Sequence, residues 1–501
     1  MRSLLIRRES EITTVYFEPA NEMRGQKVDV TSKPVSIAVV GSGYVGLVAA
    51  ACFAEMGHSV VCVDNDEQKV AMLRDGGIPI HEDFLPELLA RHRNQRLQFT
   101  TELASAAQHA QAIFIAVGTP QSDSGDADLS YVDAVATQIA RSIGSYKVIV
   151  EKSTVPVYTN EWIRRVVERN GTSSTNFDVA SNPEFLREGT AVSDFLHPDR
   201  IVVGADSGPA ADILKAIYAP LTSGEYYRSK DAIQGHRTIA DPPPLLLTST
   251  KAAELIKHAS NAFLAMKISF INAVANVCEA VDANVEEVAR GMGLDKRIGS
   301  QFLKAGIGYG GSCFPKDVAA FRYVAEQLSV DFGILAEVEK INEHQKRRFF
   351  NKVRSALWTF RGKRLAVLGL AFKGGTDDVR ESPAFDIIRM LLSEGCAIVA
   401  FDPAATERAK LELPSGPSMQ YADDPYSAAA GADALLILSD WPEFGKVDLE
   451  KLQAALRYPI VIDGRNLYDP REMLEHGFTY LSVGRPAMYP AREAARAKRV
   501  Q

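Results

Sequence analysis

Val35-Ser36-Ile37-Ala38-Val39-Val40-Gly41-Ser42-Gly43-Tyr44-Val45-Gly46 is the stretch that decides the fold. The apolar run up to Val40 suits a short strand buried on both faces of a parallel sheet. The glycines that follow predict a tight turn opening a helix, read over 47–56. Ser59 to Asp64 reads as the second strand, and Asp64 falls 23 residues after Gly41. Strand, glycine turn, helix, second strand and terminal acid together are the context that makes a G-x-G-x-x-G pattern specific. Gly41, Gly43 and Gly46 would let a pyrophosphate approach the backbone, with Tyr44 and Val45 in the same loop, while the helix N-terminus attracts the anion. Asp64 would accept hydrogen bonds from ribose hydroxyls and repel a 2′-phosphate. The expected cofactor is therefore NAD, with Lys69 placed near the ribose.

Outward from this unit, strands are expected at 112–117 and 147–150, with helical stretches between them. A long helical pattern without Pro or Gly begins near Ser249 and runs toward Ala283, with Leu255, Phe263, Ile268, Ile271, Val274 and Val277 at near-helical spacing. A second α/β unit follows, with strands read at 364–369, 397–402, 434–438 and 460–463. The predicted fold class is α/β: two Rossmann-like doubly wound lobes joined by a long central helix. The expected borders are an extension over 1–33, an NAD-binding lobe over 34–240 and a central helical domain over 241–340. A Rossmann-like lobe follows over 341–485, then a charged tail over 486–501.

Bulk composition narrows the function. The chain has 501 residues and a formal net charge of −7, which argues against a nucleic-acid partner. Its five cysteines are odd in number and widely spaced, with no C-x-x-C, so neither a disulfide framework nor a structural zinc site is expected. No apolar run approaches the ~20 residues of a membrane helix, and Met1 to Arg8 lacks the apolar core of a signal peptide. These readings predict a cytoplasmic protein with no metal and no membrane partner.

Cys52, Cys62, Cys278 and Cys396 each lie on an apolar strand or helix and read as core residues. Cys313 differs. It sits in Gly308-Tyr309-Gly310-Gly311-Ser312-Cys313-Phe314-Pro315-Lys316-Asp317, with Gly306 just upstream. Glycines permit close approach, so this thiol reads as a nucleophile with room for a bulky substrate, and a nearby cation would favour its thiolate. A nucleophile and a dinucleotide site on one chain point to oxidation through a covalent intermediate. Tyr226 and Lys230 give the spacing of a short-chain epimerase but precede Asp241-Pro242-Pro243-Pro244, and the match reads as chance.

The chain resembles the UDP-glucose/GDP-mannose dehydrogenase family from about Val35 to Val483. The resemblance rests on Gly41 to Gly46, Val117 to Pro120, Glu151 to Pro156, Asn182 to Thr190, Lys257 to Ala265, Gly308 to Asp317, and Gly369 to Lys373. It implies oxidation of a nucleotide-sugar C6 alcohol to the acid with two NAD. Cys313 would carry the thiohemiacetal and thioester. Lys257 and Asn261 would face the reacting carbon, and Asp317 would pair with that lysine or with water. Thr154 would hold a water, and Glu184 would serve as general base for hydrolysis. Thr119, Thr154, Glu188, Lys316 and Arg380 would contact the cofactor, with Glu188 one turn beyond Glu184 if that segment is helical. Phe185, Leu186, Arg187, Glu188, Lys304, Tyr309, Gly310, Phe372, Lys373 and Arg465 would contact a UDP-sugar, with Arg297 reaching across a homodimer. The Asn261 to Ala265 and Cys313 to Lys316 runs look more like the UDP-glucose branch, with GDP-mannose and N-acetylated UDP-hexosamine as alternatives. The stretch 226–247 is longer than the family pattern, and residues 1–33 have no counterpart.

Overall fold

The structure is a computed structural model and describes residues 33–120, 127–172 and 176–490. Most of the extension over 1–33 and the tail from 491 lie outside the described residues. The first sheet contains β1 (Ser36–Val40), β2 (Ser59–Val63), β3 (Leu97–Thr100), β4 (Ala112–Ile115), β5 (Lys147–Glu151), β6 (Phe177–Ser181), β7 (Ile201–Ala205) and β8 (Leu245–Thr248). Their spatial order is β3-β2-β1-β4-β5-β6-β7-β8, parallel except between β6 and β7. The second sheet contains β9 (Arg364–Leu368), β10 (Ala397–Phe401), β11 (Met419–Tyr421), β12 (Ala434–Ile437), β13 (Ile460–Asp463) and β14 (Thr479–Ser482). Its order, β11-β10-β9-β12-β13-β14, repeats the pattern around β1. Both lobes are thus doubly wound, as the sequence predicts.

The apolar runs explain the layers. Along β1, Ile37 and Val39 enter one core, while Ala38 and Val40 enter the core on the opposite face. Along β9, Leu365 and Val367 divide from Ala366 and Leu368 in the same way. A strand whose alternate side chains are all buried needs helices on both faces.

The helix that opens at the glycine turn runs Tyr44–Glu55, starting three residues before the expected 47. The central helix is Thr250–Ala280, capped by Ser249, whose side chain accepts the Ala252 N–H. At 1.5 Å per residue it spans about 46 Å. By length and composition alone it could cross a membrane, which the sequence reading did not anticipate. Here it packs between the lobes, and its buried face carries Lys257, Asn261, Ala265, Ser269, Asn272 and Ala275. Of the apolar positions read at helical spacing, Ile271 is buried and Ile268 and Val274 are half-buried against the cores, while Leu255, Phe263 and Val277 are exposed, as is Phe270. The helix turns small and polar residues inward and leaves part of its apolar set bare. The helix Gly333–Leu357 packs beside it, crossing the expected border at 340, and β8 lies beyond the expected border at 240. The long 226–247 stretch holds a short 3-10 turn, Tyr226–Arg228, and ends in β8. Tyr226 is buried and its hydroxyl accepts the Ile233 N–H, so it does not stand with Lys230 on a helix.

Candidate active site

Where the sheet order turns back at β1, Val40 pairs with Val63 on one side and Ile115 on the other. The chain leaving β1 therefore emerges in the crevice between two divergent connections. Gly41 has φ +102°, and a Cβ there would stand 2.5 Å from the Ala116 carbonyl oxygen. Gly43 faces open space, and the first turn of the helix behind it holds no acid. That combination suits an anion at a helix N-terminus. Asp64 is fixed by the Ser42 N–H (2.8 Å) and Ser42 hydroxyl (2.5 Å), with Lys69 Nζ at 3.3 Å. Burial works to raise its pKa, but the hydrogen bonds from Ser42 and the Asp66 N–H outweigh it and hold the carboxyl below its ordinary value. The Thr119 hydroxyl donates to the Thr154 carbonyl at 2.9 Å, and Lys316 Nζ lies 3.5 Å from Thr119 Oγ1. Three separate motifs converge at that point.

Cys313 is the N-cap residue of the helix Phe314–Gln327 and is partly exposed, while Cys52, Cys62, Cys278 and Cys396 are buried. It lines a cleft of about 790 Å³ together with Lys257, Asn261, Phe185, Leu186 and Arg187. Lys257 is 4% exposed, and its Nζ sits 2.8 Å from Glu184 Oε1. Asp317, also buried, accepts from Asn261 Nδ2 at 2.6 Å and pairs with Lys316 Nζ at 2.9 Å. The lysine's direct partner is thus Glu184, which approaches from the first lobe, and Asp317 serves the asparagine. Burial first, and then the Glu184 carboxylate, push the Cys313 thiol up to about 11, with Lys257 pulling the other way. The segment from Asn182 to Glu188 is not helical, so Glu188 does not sit one turn above Glu184. It instead accepts from the Ser312 hydroxyl at 3.1 Å and lies 3.5 Å from an Arg380 nitrogen. Burial and the neighbouring Asp378 raise its carboxyl well above the ordinary range.

The glycines before Cys313 make room for protein rather than for a substrate. A Cβ on Gly310 would stand 2.1 Å from the Glu381 carbonyl oxygen, one on Gly311 2.9 Å from the Phe372 ring, and one on Gly306 2.9 Å from the Gly464 carbonyl oxygen. The Ile307 N–H donates to the Gly464 carbonyl and the Gly311 N–H to the Arg380 carbonyl, both at 3.1 Å. The Cys313 loop is therefore laid directly on the second lobe.

Three stretches, 35–222, 251–344 and 366–470, match the NAD binding, central and UDP binding domain models of the UDP-glucose/GDP-mannose dehydrogenase family. The chain belongs to that family. UDP-glucose 6-dehydrogenase TuaD of Bacillus subtilis (strain 168) is 45% identical over 453 residues, covering 90% of this chain and 94% of TuaD. The UDP-glucose 6-dehydrogenase of Rhizobium meliloti (strain 1021) is 45% identical, covering 90% of this chain and 100% of its own length. Among solved structures, a UDP-glucose dehydrogenase from Pyrobaculum islandicum superposes with a TM-score of 0.81 at 38% identity, covering 91% of this chain and 99% of that one. This dehydrogenase is an NAD-dependent oxidoreductase. Its open Gly43, the acid-free helix start and Asp64 fit that cofactor.

In the second lobe of the dehydrogenase, Asp402 stands where Asp64 stands in the first. Its Oδ2 accepts the Leu370 and Ala371 N–H groups and the Trp441 indole N–H. A carboxylate so occupied has little left for a ribose. The resemblance implies that Arg465 contacts the UDP-sugar. Its guanidinium instead donates to the carbonyls of Leu438 (2.9 Å), Gly308 (3.2 Å) and Phe372 (3.0 Å). Lys373 is half-buried, and desolvation lowers its pKa. Lys304 is exposed with Asp440 at 3.5 Å, and Tyr309 is buried. Arg297 stands apart, its side chain 89% exposed and paired with Asp295. Several contributing residues carry no local sequence signature. Glu82 accepts from the Tyr44 hydroxyl and from the Gly189 N–H (2.8 Å). Asn272, Asn342 and Gln345 bind the loop that leads to Cys313. The only trace they leave is a polar amide at a buried position on a long helix.

Proposed function

We propose that the chain oxidises UDP-glucose to UDP-glucuronate, removing four electrons through a thiohemiacetal and a thioester on Cys313. The observation that carries this reading is the partly exposed Cys313 sharing one cleft with the buried Lys257 and Asn261. NAD, when bound at the glycine loop, accepts the two electron pairs in two equivalents. The Cys313 sulfur adds to the aldehyde carbon and keeps that intermediate bound between the oxidations. Lys257 and Asn261, one helical turn apart, hold the oxygen on which charge develops. Asp317 orients Asn261 through its 2.6 Å hydrogen bond. Glu184, with Thr154, directs the water that cleaves the thioester and takes its proton. Phe185, Leu186 and Arg187 wall the sugar, and Phe372, Lys373 and Lys304 face the uridine nucleotide. The match of the second lobe to a UDP binding domain and the identity to UDP-glucose 6-dehydrogenases support the nucleotide and the sugar.

The same reading includes a homodimer in the cytoplasm. Leu255, Phe263, Phe270 and Val277 form an exposed apolar stripe along the central helix, suited to a second copy, which would bring Arg297 to its partner. The five free cysteines suit a reducing compartment.

The test is purified enzyme against UDP- and GDP-sugars with NADH followed. Two NADH per acid formed from UDP-glucose is expected. One NADH per product, or preference for GDP-mannose or a UDP-N-acetylhexosamine, would overturn it. Cys313→Ser is expected to lose acid formation by several orders of magnitude while nucleotide-sugar binding, measured by calorimetry, persists.

A further inference from the structure

The loop that carries the thiol is rich in glycine and has little stiffness of its own. Its shape must therefore be imposed from outside, and three buried amides do so. The Tyr309 N–H donates to Asn342 Oδ1 at 2.8 Å, and Asn342 Nδ2 donates to the Tyr309 carbonyl at 3.0 Å. A single side chain thus pairs both polar groups of one backbone residue, as a neighbouring strand would. Only an amide offers donor and acceptor in one plane for that purpose. Gly308, at φ +112°, exists for this contact, since a Cβ there would stand 2.7 Å from Asn342 Oδ1. One turn further along the same helix, Gln345 Nε2 donates to the Gly306 carbonyl at 2.9 Å. From the central helix, Asn272 Oδ1 accepts the Gly306 N–H, also at 2.9 Å. The central helix carries Lys257 and Asn261 as well. The amides therefore fix the thiol loop against the helix that holds the oxygen-stabilising pair.

We propose that Asn342 is a positioning residue for the reaction, setting the register of the Gly306–Cys313 loop so that the sulfur meets the carbon held by Lys257 and Asn261. The proposal rests on the reading of Cys313 as nucleophile. Asn342 touches no reacting atom; it acts through Tyr309, four residues before the thiol. Misplacement of a reacting group by about 1 Å costs on the order of 10²-fold in rate, while binding of the nucleotide sugar and of NAD by other residues is untouched.

The experiment compares full-length wild type with Asn342→Leu, which keeps the volume and removes both hydrogen bonds. The expected result has two parts. The first is a fall in kcat on the order of 10–100-fold with KM for both substrates within about threefold. The second is amide exchange of peptides covering the Gly306–Cys313 loop faster by about tenfold, while peptides of the glycine-turn helix are unchanged. A kcat within about twofold of wild type alongside a faster-exchanging loop would overturn the proposal, as would faster exchange across both lobes. If circular dichroism shows Asn342→Leu unfolded, Asn342→Asp, which keeps the acceptor for the Tyr309 N–H and loses the donor, is read by the same two measurements. Mass spectrometry of wild type with the aldehyde substrate separates the two levels. No adduct on Cys313 sinks the nucleophile reading and the positioning role with it. An adduct in wild type with undiminished kcat in the variant sinks the positioning role alone.

Discussion

At the scale of single residues, the sulfur of Cys313 is held among opposed charges. Burial and Glu184 push its pKa up to about 11, and Lys257 is the cation that opposes them. The thiolate is the reactive form, so the free enzyme should be sluggish toward alkylating agents at neutral pH. Its alkylation by iodoacetamide should accelerate about tenfold per unit as pH rises toward the thiol pKa. Lys257→Met removes the opposing cation, and alkylation at a fixed mildly alkaline pH should slow further. Peptide mass spectrometry of Cys313 measures both, and a rate independent of pH would contradict them. That Cys313 is the partly exposed cysteine among four buried siblings was legible in the sequence, because glycine neighbours and apolar neighbours are local facts. The partner of Lys257 was not. Glu184 lies on a different element, and only the folded chain sets it 2.8 Å away while assigning Asp317 to Asn261 and Lys316.

At the scale of elements, the thiol loop and the central helix each invert an intuitive reading. A run of glycines beside a nucleophile suggests space for a ligand, but here the space is filled by Glu381, Phe372 and Gly464 of the second lobe. Gly310→Ala would place a methyl 2.1 Å from the Glu381 carbonyl oxygen and 2.8 Å from Pro383 Cδ. Such overpacking costs about 1–3 kcal/mol, read as a lowered denaturation midpoint, with turnover lost as the loop shifts off the lobe. An unchanged midpoint and kcat would show that the contact gives way freely. Along the central helix, apolar periodicity correctly predicts helix, because the period is a backbone property. It does not say which face is inside. The buried face carries a lysine and two asparagines, whose partners there are Glu184 for Lys257, Asp317 for Asn261 and the Gly306 N–H for Asn272 Oδ1.

At the scale of the whole molecule, the proposed homodimer rests on the bare stripe along the central helix. Phe270 is 51% exposed at the middle of the stripe on the central helix. Phe270→Glu should convert the proposed homodimer to a species with the mass of one chain, measured by size-exclusion with light scattering, while circular dichroism stays that of the folded protein. A variant that keeps the dimer mass would remove this face from the interface. Glu188 of the first lobe, with Ser312 of the loop and Arg380 of the second lobe, marks where the three parts meet. Nothing in the spacing of those residues announces the junction, since Glu188 lies 124 positions from Ser312 and 192 from Arg380.

The sequence by itself determined two doubly wound lobes, the glycine turn at the first of them, the central helix and the contrast between Cys313 and its four buried siblings. Each follows from short-range rules: alternation that buries both faces of a strand, glycines at a turn, and an acid at a strand end. Only the tertiary structure decided which carboxylate meets Lys257, what the loop glycines accommodate, where the Arg465 donors go and which face of the central helix is bare. Those outcomes depend on contacts between elements far apart in the chain, where packing and the satisfaction of buried charge, rather than local preference, select the arrangement.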